Sequence, residues 1–526
     1  MDSFPAPSPT SPSSARRVEL ACACLVLAAA ALVRWPYLQR IPRFTDEVQL
    51  WRLAVEVLRG GHRPLVFEDT GYNGALIIYL LAGLRGFTAS LAAPRLLAWA
   101  LGSVSVLLVY LLGRDLGGRR AGLIAAALFG VTATPVLVYS HVLHMTSLAV
   151  PLLCFGFWAV ARAARDGSGP WLALAGVSLG LAVQTHPLCA AFMPGLALWL
   201  WRQHRGRALL VGRWGALALA LSLLAYSPVL LYHLGFGTGP NGAPALSGVA
   251  EDLASHWAKG LRYREGLINL LRSLPDALGG KAHSLADPAS RDPLVWLMLL
   301  LLAAGLWTAA RRGRTLPLFL AASALLCLPL LMTAYQNTLL ARYSGLTLPA
   351  LHLGIGLGAA DWPRTVQSAL KSVGAGRVRM LGAGLVAFLL TAAVGGLAGR
   401  LAGFYRAEDL ALRSNDHLLQ IAALAERSGQ PVVLDGSIRR TNGQGTGPSG
   451  VLHGIFTWRG VAFKKRSEPE ELDAYLPAVD WPAQIIVADA TLDVLAARPR
   501  LQPVTGGRIP PISDVGGWGL YQLEPH

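Results

Sequence analysis

Eleven apolar segments of roughly bilayer-crossing length leave this chain few ways to fold. Hydrocarbon offers the backbone no hydrogen-bond partners, so segments of this kind cross as helices, which satisfy their own backbone groups. Nine stand alone: Leu20–Trp35, Ala92–Leu112, Ala121–Tyr139, Met145–Ala161, Ala216–Tyr232, Leu294–Ala310, Leu316–Ala334, Tyr343–Ala360 and Met380–Leu401. Two more come from Trp171–Trp201, too long for one span. That stretch is broken at Gln184-Thr185-His186-Pro187, where proline cannot continue helical bonding. Only 14% of the 526 residues are charged, against roughly a quarter in ordinary soluble proteins.

Arginine placement sets the expected orientation, because inner loops carry the positive charge. With the N-terminus inside, the inner loops hold Arg114, Arg119 and Arg120, then Arg162 and Arg165, then Arg202, Arg205, Arg207 and Arg213. They continue with Arg311, Arg312 and Arg314, then Arg364, Lys371, Arg377 and Arg379. The short outer connections at Ser140–His144 and His186 have no Arg or Lys, and Tyr335–Arg342 has only Arg342. Eleven is odd, so the chain after Leu401 is expected outside. The net charge of +16 follows from this pattern and does not point to nucleic acid, since the cations lie between apolar runs rather than on one face. The five cysteines (22, 24, 154, 189 and 327) fall inside apolar segments, where small buried thiols are ordinary.

Residues 1–17 read as a disordered inner tail, 18–403 as the membrane module and 404–526 as a small extracytoplasmic α/β domain. The long outer loops are about 36–91 and 235–292. The first predicts a helix over Glu47–Arg59, stopped by Gly60-Gly61, and a short interfacial helix over Ala75–Leu84. The last domain predicts a helix over Asp409–Glu426, strands at Pro431–Leu434 and Gln484–Val487, and a helix at Pro469–Leu476 between them. Its polar residues, Asp435 and His453 among them, form no recognisable catalytic set. It is expected to serve an acceptor or a partner.

Thr45-Asp46-Glu47 opens the first-loop helix. These residues suit a helix cap and first-turn acids, favoured by the dipole. They equally suit a carboxylate held ionised as a general base at the membrane surface. Glu68-Asp69, before Gly71-Tyr72-Asn73-Gly74, reads on its own as a solvated turn. His141, His144 and His186 stand at outer helix ends, where polar groups tend to line cavities. Arg95 and Arg342 begin spans on the outer side, against the charge rule. Either they snorkel to lipid phosphate or they bind a substrate phosphate.

In order and membrane side, these features resemble the GT-C membrane glycosyltransferases, above all the protein-mannosyltransferase-like family and its bacterial relatives. Asp46-Glu47 resembles the family's acidic pair, and Phe67-Glu68-Asp69 with Gly71-Tyr72-Asn73-Gly74 its second acidic turn. Ala93-Pro94-Arg95 is similar to its second-span arginine. Gly113–Ala121 resembles its first inner loop, Ala175–Pro187 its fifth helix and Ala341-Arg342-Tyr343 its late arginine–tyrosine segment. Many aminoarabinose-transferase-like members carry a lysine beside the second acid, where Asp69 stands here, a departure that bears on their particular donor and on a lysine phosphate clamp.

The resemblance implies an enzyme, a hexosyl- or pentosyltransferase of a bacterial plasma membrane. It would pass a sugar from a polyprenyl-phosphate lipid to a glycan, lipid or protein acceptor on the outer face, with inversion. Asp46 would be the base, with Glu47 in support. Glu68, Asp69, Tyr72, Arg95, His141, His144, His186, Arg342 and Tyr343 would hold substrate. A divalent metal stays open, with Asp46 and Glu68 its candidate ligands. A non-enzymatic transporter or flippase of lipid-linked glycan would share the polar mouths. Acids gathered in an outer loop rather than at mid-membrane favour the enzyme.

Overall fold

The structure is a computed structural model. It describes residues 12–38, 45–61, 63–67, 73–236, 263–280, 292–331, 341–369, 375–407, 409–435, 448–466, 483–488, 491, 495, 501–509 and 518–523. Glu68, Asp69 and Tyr72, the helix expected at Pro469–Leu476 and most of the second long loop lie outside the described residues.

Helix occupies every expected apolar segment. The first part of the chain holds α1 (Pro12–Arg34), α2 (Thr45–Leu58), α3 (Leu76–Phe87), α4 (Ala92–Gly117), α5 (Arg119–Val131), α6 (Met145–Asp166) and α7 (Gly169–Thr185). Then come α8 (Met193–Arg202), α9 (His204–Val211), α10 (Arg213–Leu231), α11 (Tyr263–Leu278), α12 (Pro293–Arg311) and α13 (Leu316–Leu331). After the short α14 (Ala341–Ser344) the chain continues as α15 (Leu348–Ala369) and α16 (Ala375–Ala407). By length and composition, five helices among the described residues suffice to cross a membrane: Ala92–Gly117, Met145–Asp166, Arg213–Leu234, Pro293–Arg311 and Met380–Gly403.

Local chemistry explains where the helices depart from simple runs. The segment expected as Ala121–Tyr139 stops at Val131, and Thr134–Val138 forms a π turn with Pro135 in its first positions. Proline's missing N–H makes a regular helix costly there. The long apolar stretch ends α7 at Thr185 and passes through a 3₁₀ turn, Pro187–Phe192, before α8.

Within the bundle, α7 packs between α6 and α10, while α5 packs against both α4 and α15. Small residues permit the closest approaches, as is usual between membrane helices. A Cβ on Gly358 would stand 2.2 Å from the Gly305 Cα, so α12 and α15 touch backbone to backbone.

The end of the chain contains α17 (Asp409–Ser428), β1 (Val432–Asp435), α18 (Pro448–Arg459), β2 (Phe463–Arg466), β3 (Gln484–Ala488), β4 (Leu501–Ile509) and β5 (Trp518–Leu523). The five strands form one sheet in the order β2-β1-β3-β5-β4. β1 pairs in parallel with β2 and β3, and β5 runs antiparallel between β3 and β4. This α/β unit does not stand apart. Leu418, Ile421, Val432, Leu434, Val451, Ile455 and Trp458 share one buried apolar cluster with Val48, Trp51, Phe67, Ile78 and Leu143.

Candidate functional site

The first turn of α2 is fixed by a buried charge pair. Glu47 and Arg95 are both fully buried, with Arg95 Nε 2.6 Å from Glu47 Oε1. Arg95 Nη2 donates a hydrogen bond to Glu47 Oε2 at 2.7 Å. A hydrogen bond between two ionised groups is about twice as strong as one between neutral groups. Neither charge could stay buried alone, so each holds the other in place. Arg95 also donates to Leu38 O at 3.4 Å, and Leu143 N donates to Glu47 Oε1 at 3.5 Å. One pair thus joins α2, α4, the turn after α1 and the turn before α6. Asp46 precedes Glu47 on this turn, and its side chain lies outside the described residues.

Beside this pair, His141 is buried where α1, the 140–144 turn and α16 meet. Its Nδ1 lies 2.6 Å from Val136 O, and its Nε2 lies 2.9 Å from Pro36 O and 3.3 Å from the Tyr405 hydroxyl. Burial dominates its ionisation and pushes it down to about 4. A neutral ring carries one N–H and can donate to only one of these two carbonyls. Only the doubly protonated ring could donate to both.

Arg34, which the sequence reading passed over, is fully buried at the same end of the bundle. It donates to Ser140 Oγ at 3.0 Å, Gly130 O at 3.0 Å and Ala30 O at 3.3 Å. Its Nη2 has no hydrogen-bond partner among the described residues. The available signal was a cation inside an apolar run. Tyr405, stacked 4.7 Å from Tyr37, carried no such signal. Tyr37 itself has φ 60, the left-handed region that side chains avoid.

His144 caps α6: its Nδ1 accepts from Thr146 N at 3.3 Å, and Ser147 Oγ accepts from His144 N at 3.1 Å. His186 caps the 3₁₀ turn after α7, accepting from Leu188 N at 3.4 Å. Its ring lies 5.4 Å from that of Tyr343. The first long loop is pinned to the same helix end. Val66 and Gly74 bridge antiparallel, Phe67 N donates to Asn73 O at 2.7 Å, and Gly74 N donates to Gln184 O at 2.6 Å. A Cβ on Gly74 would fall 2.4 Å from Gln184 Cγ, so only glycine fits this approach.

Two groups of expected residues therefore form at one end of the bundle. Glu47, Arg95, His141 and His144 gather around the turn before α6, while His186 and Tyr343 meet beside the anchored loop. The side chain of Arg342 lies outside the described residues. Among the described residues no group of three His, Cys, Asp or Glu side chains could hold a metal ion.

The family pattern of the dolichyl-phosphate-mannose-protein mannosyltransferases matches residues 70–232. That stretch contains Arg95, His141, His144 and His186 but not α2. The crystal structure of ArnT from Cupriavidus metallidurans in the apo state is similar to this chain with a TM-score of 0.54 at 14% identity. The match covers 97% of this chain and 100% of that one. The Archaeoglobus fulgidus oligosaccharyltransferase, solved with a tethered acceptor peptide, is similar with a TM-score of 0.50 at 11% identity, over 90% of this chain and 69% of that one. Among curated proteins none matches. Family match and fold agree: the chain has the fold of GT-C-type membrane glycosyltransferases, and its residues 70–232 carry the protein-mannosyltransferase pattern.

Proposed function

We propose that the protein transfers a sugar from a polyprenyl-phosphate donor to an acceptor on the outer face of a bacterial plasma membrane, with inversion. Eleven spans place the N-terminus inside and the α/β unit outside, as the arginine alternation requires. Asp46 is the base that takes the acceptor proton. Glu47, held by Arg95, keeps the first turn of α2 against the bundle. Within this reading Arg95 has its anion already, so the donor phosphate falls to Arg342, with Tyr343 and His186 beside it. Glu68, Asp69 and Tyr72, which precede Gly74 in the sequence, are assigned to substrate binding in this reading.

The observation that carries the reading is the meeting of distant segments: Gly74 N bonds Gln184 O at 2.6 Å, and the His186 ring lies 5.4 Å from Tyr343. The family pattern over residues 70–232 names a lipid-phosphate sugar as donor, which supports the same chemistry. A metal, if one is used, would be held by Asp46 and Glu68 and would neutralise charge on the leaving phosphate. The test is the surface glycan and lipid composition of cells lacking the protein. Loss of one sugar from an outer-surface polymer supports transfer. Accumulation of a complete lipid-linked precursor on the inner leaflet would mean transport instead.

A further inference from the structure

The helix that opens with Asp46-Glu47 packs along α3 and is tied to the bundle through Arg95. It also meets α18, which comes from the α/β unit some four hundred residues later. A Cβ on Gly454 would stand 2.5 Å from Val48 Cβ and 3.3 Å from Val48 Cα, so α18 rests on α2 with no room for a side chain. One helical turn on, the fully buried Trp458 lies with its ring 5.7 Å from that of Trp51. Positions 454 and 458 share a face of α18, as 48 and 51 share a face of α2. The contact therefore has two points and fixes both the spacing and the rotation of α2.

Trp458 also ties down the surroundings. Its Nε1 donates to Ser90 O at 3.2 Å, just before α4 begins. Its carbonyl accepts from Arg85 Nε near the end of α3, and the Arg85 guanidinium lies 5.9 Å from its ring.

We propose that Gly454 and Trp458 are positioning residues for the transfer reaction. They set the placement of α2, and through it the reacting carboxylate, so the α/β unit is part of the reaction geometry rather than an acceptor module alone. The proposal rests on the reading of α2 as the carrier of that carboxylate. Val48 is two residues from Asp46, so a shift forced at Val48 reaches Asp46 within the same turn. A misplacement of about 1 Å is enough to cost a reaction heavily while leaving binding largely intact.

The test uses the full-length protein in nanodiscs, with polyprenyl-phosphate mannose as donor probe. Gly454→Ala and Trp458→Ala are each expected to lower kcat about tenfold and to change KM by less than about twofold. Both should speed amide exchange across residues 45–58 and leave α6 unchanged. Trp458→Phe, which keeps a ring against Trp51, should stay near the unaltered protein in both readouts. Val487→Ala, in the sheet's separate buried cluster, should leave α2 exchange unchanged. The proposal is overturned if α2 exchange in Gly454→Ala and Trp458→Ala matches the unaltered protein, or if Val487→Ala reproduces their effect. Should the unaltered protein release no sugar from this donor, the donor assignment fails while the exchange comparison still decides the role of α18.

Discussion

Glu47 and Arg95 face each other through two contacts of 2.6 and 2.7 Å with both side chains fully buried. Removing one member leaves the other charge stranded. Glu47→Gln is expected to destabilise the protein by about 3–5 kcal/mol, because a buried guanidinium loses its counter-charge. The double change Glu47→Leu with Arg95→Met strands nothing and should cost markedly less. Unfolding midpoints in one detergent provide the comparison. Equal losses for the single and double variants would show that the pair does not fix α2.

Two histidines, His141 buried and His453 half-buried, give stability a definite pH dependence. His141 is pushed down to about 4 by burial, and His453 to about 4 by burial and then by the nearby cations Lys465 and Arg52. Between their ordinary value near 6.5 and about 4 the unfolded chain binds protons that the folded protein does not. Their contribution is therefore complete above about pH 6.5 and is lost as pH falls towards 4. His141→Gln and His453→Gln should each flatten the slope of unfolding midpoint against pH in that window. An unchanged slope in both variants would contradict the assignment.

The contact of α12 with α15 leaves no space at Gly358. Gly358→Val is expected to cost at least about 1–3 kcal/mol, the usual penalty for overpacking. Gly399→Val, at a position with open space around it, should be far milder. Thermal unfolding of the two purified variants gives the check.

Topology is tested by a fusion after His526. The proposed eleven spans would put that end outside, so a C-terminal alkaline phosphatase is expected to be active. Activity from a cytoplasm-only reporter at the same position would remove one span from the count.

Helix placement was legible because apolar length and proline position are local properties. Gln184–Pro187 broke the long run as expected, and α2 began within two residues of its expected start. Glu47 and Arg95 were each picked out, but their pairing was not, since it depends on how α2 and α4 lie across forty-eight positions. The break at Pro135 was missed because the apolar run continues through it. Arg34 was missed because one cation scarcely lowers the hydropathy of its span. Gly454 carried no signal at all. Its meaning comes from Val48, a contact that only packing creates.

The most direct measurement is turnover by Asp46→Asn in the full-length protein, beside binding of the same lipid donor. The substitution keeps size and much of the capping ability and removes only the charge. If Asp46 is the base, turnover should fall about 100-fold or more while the protein stays folded and binds donor. Near-normal transfer by a well-folded Asp46→Asn protein would contradict the account, and Glu68 and Asp69 would be tested next.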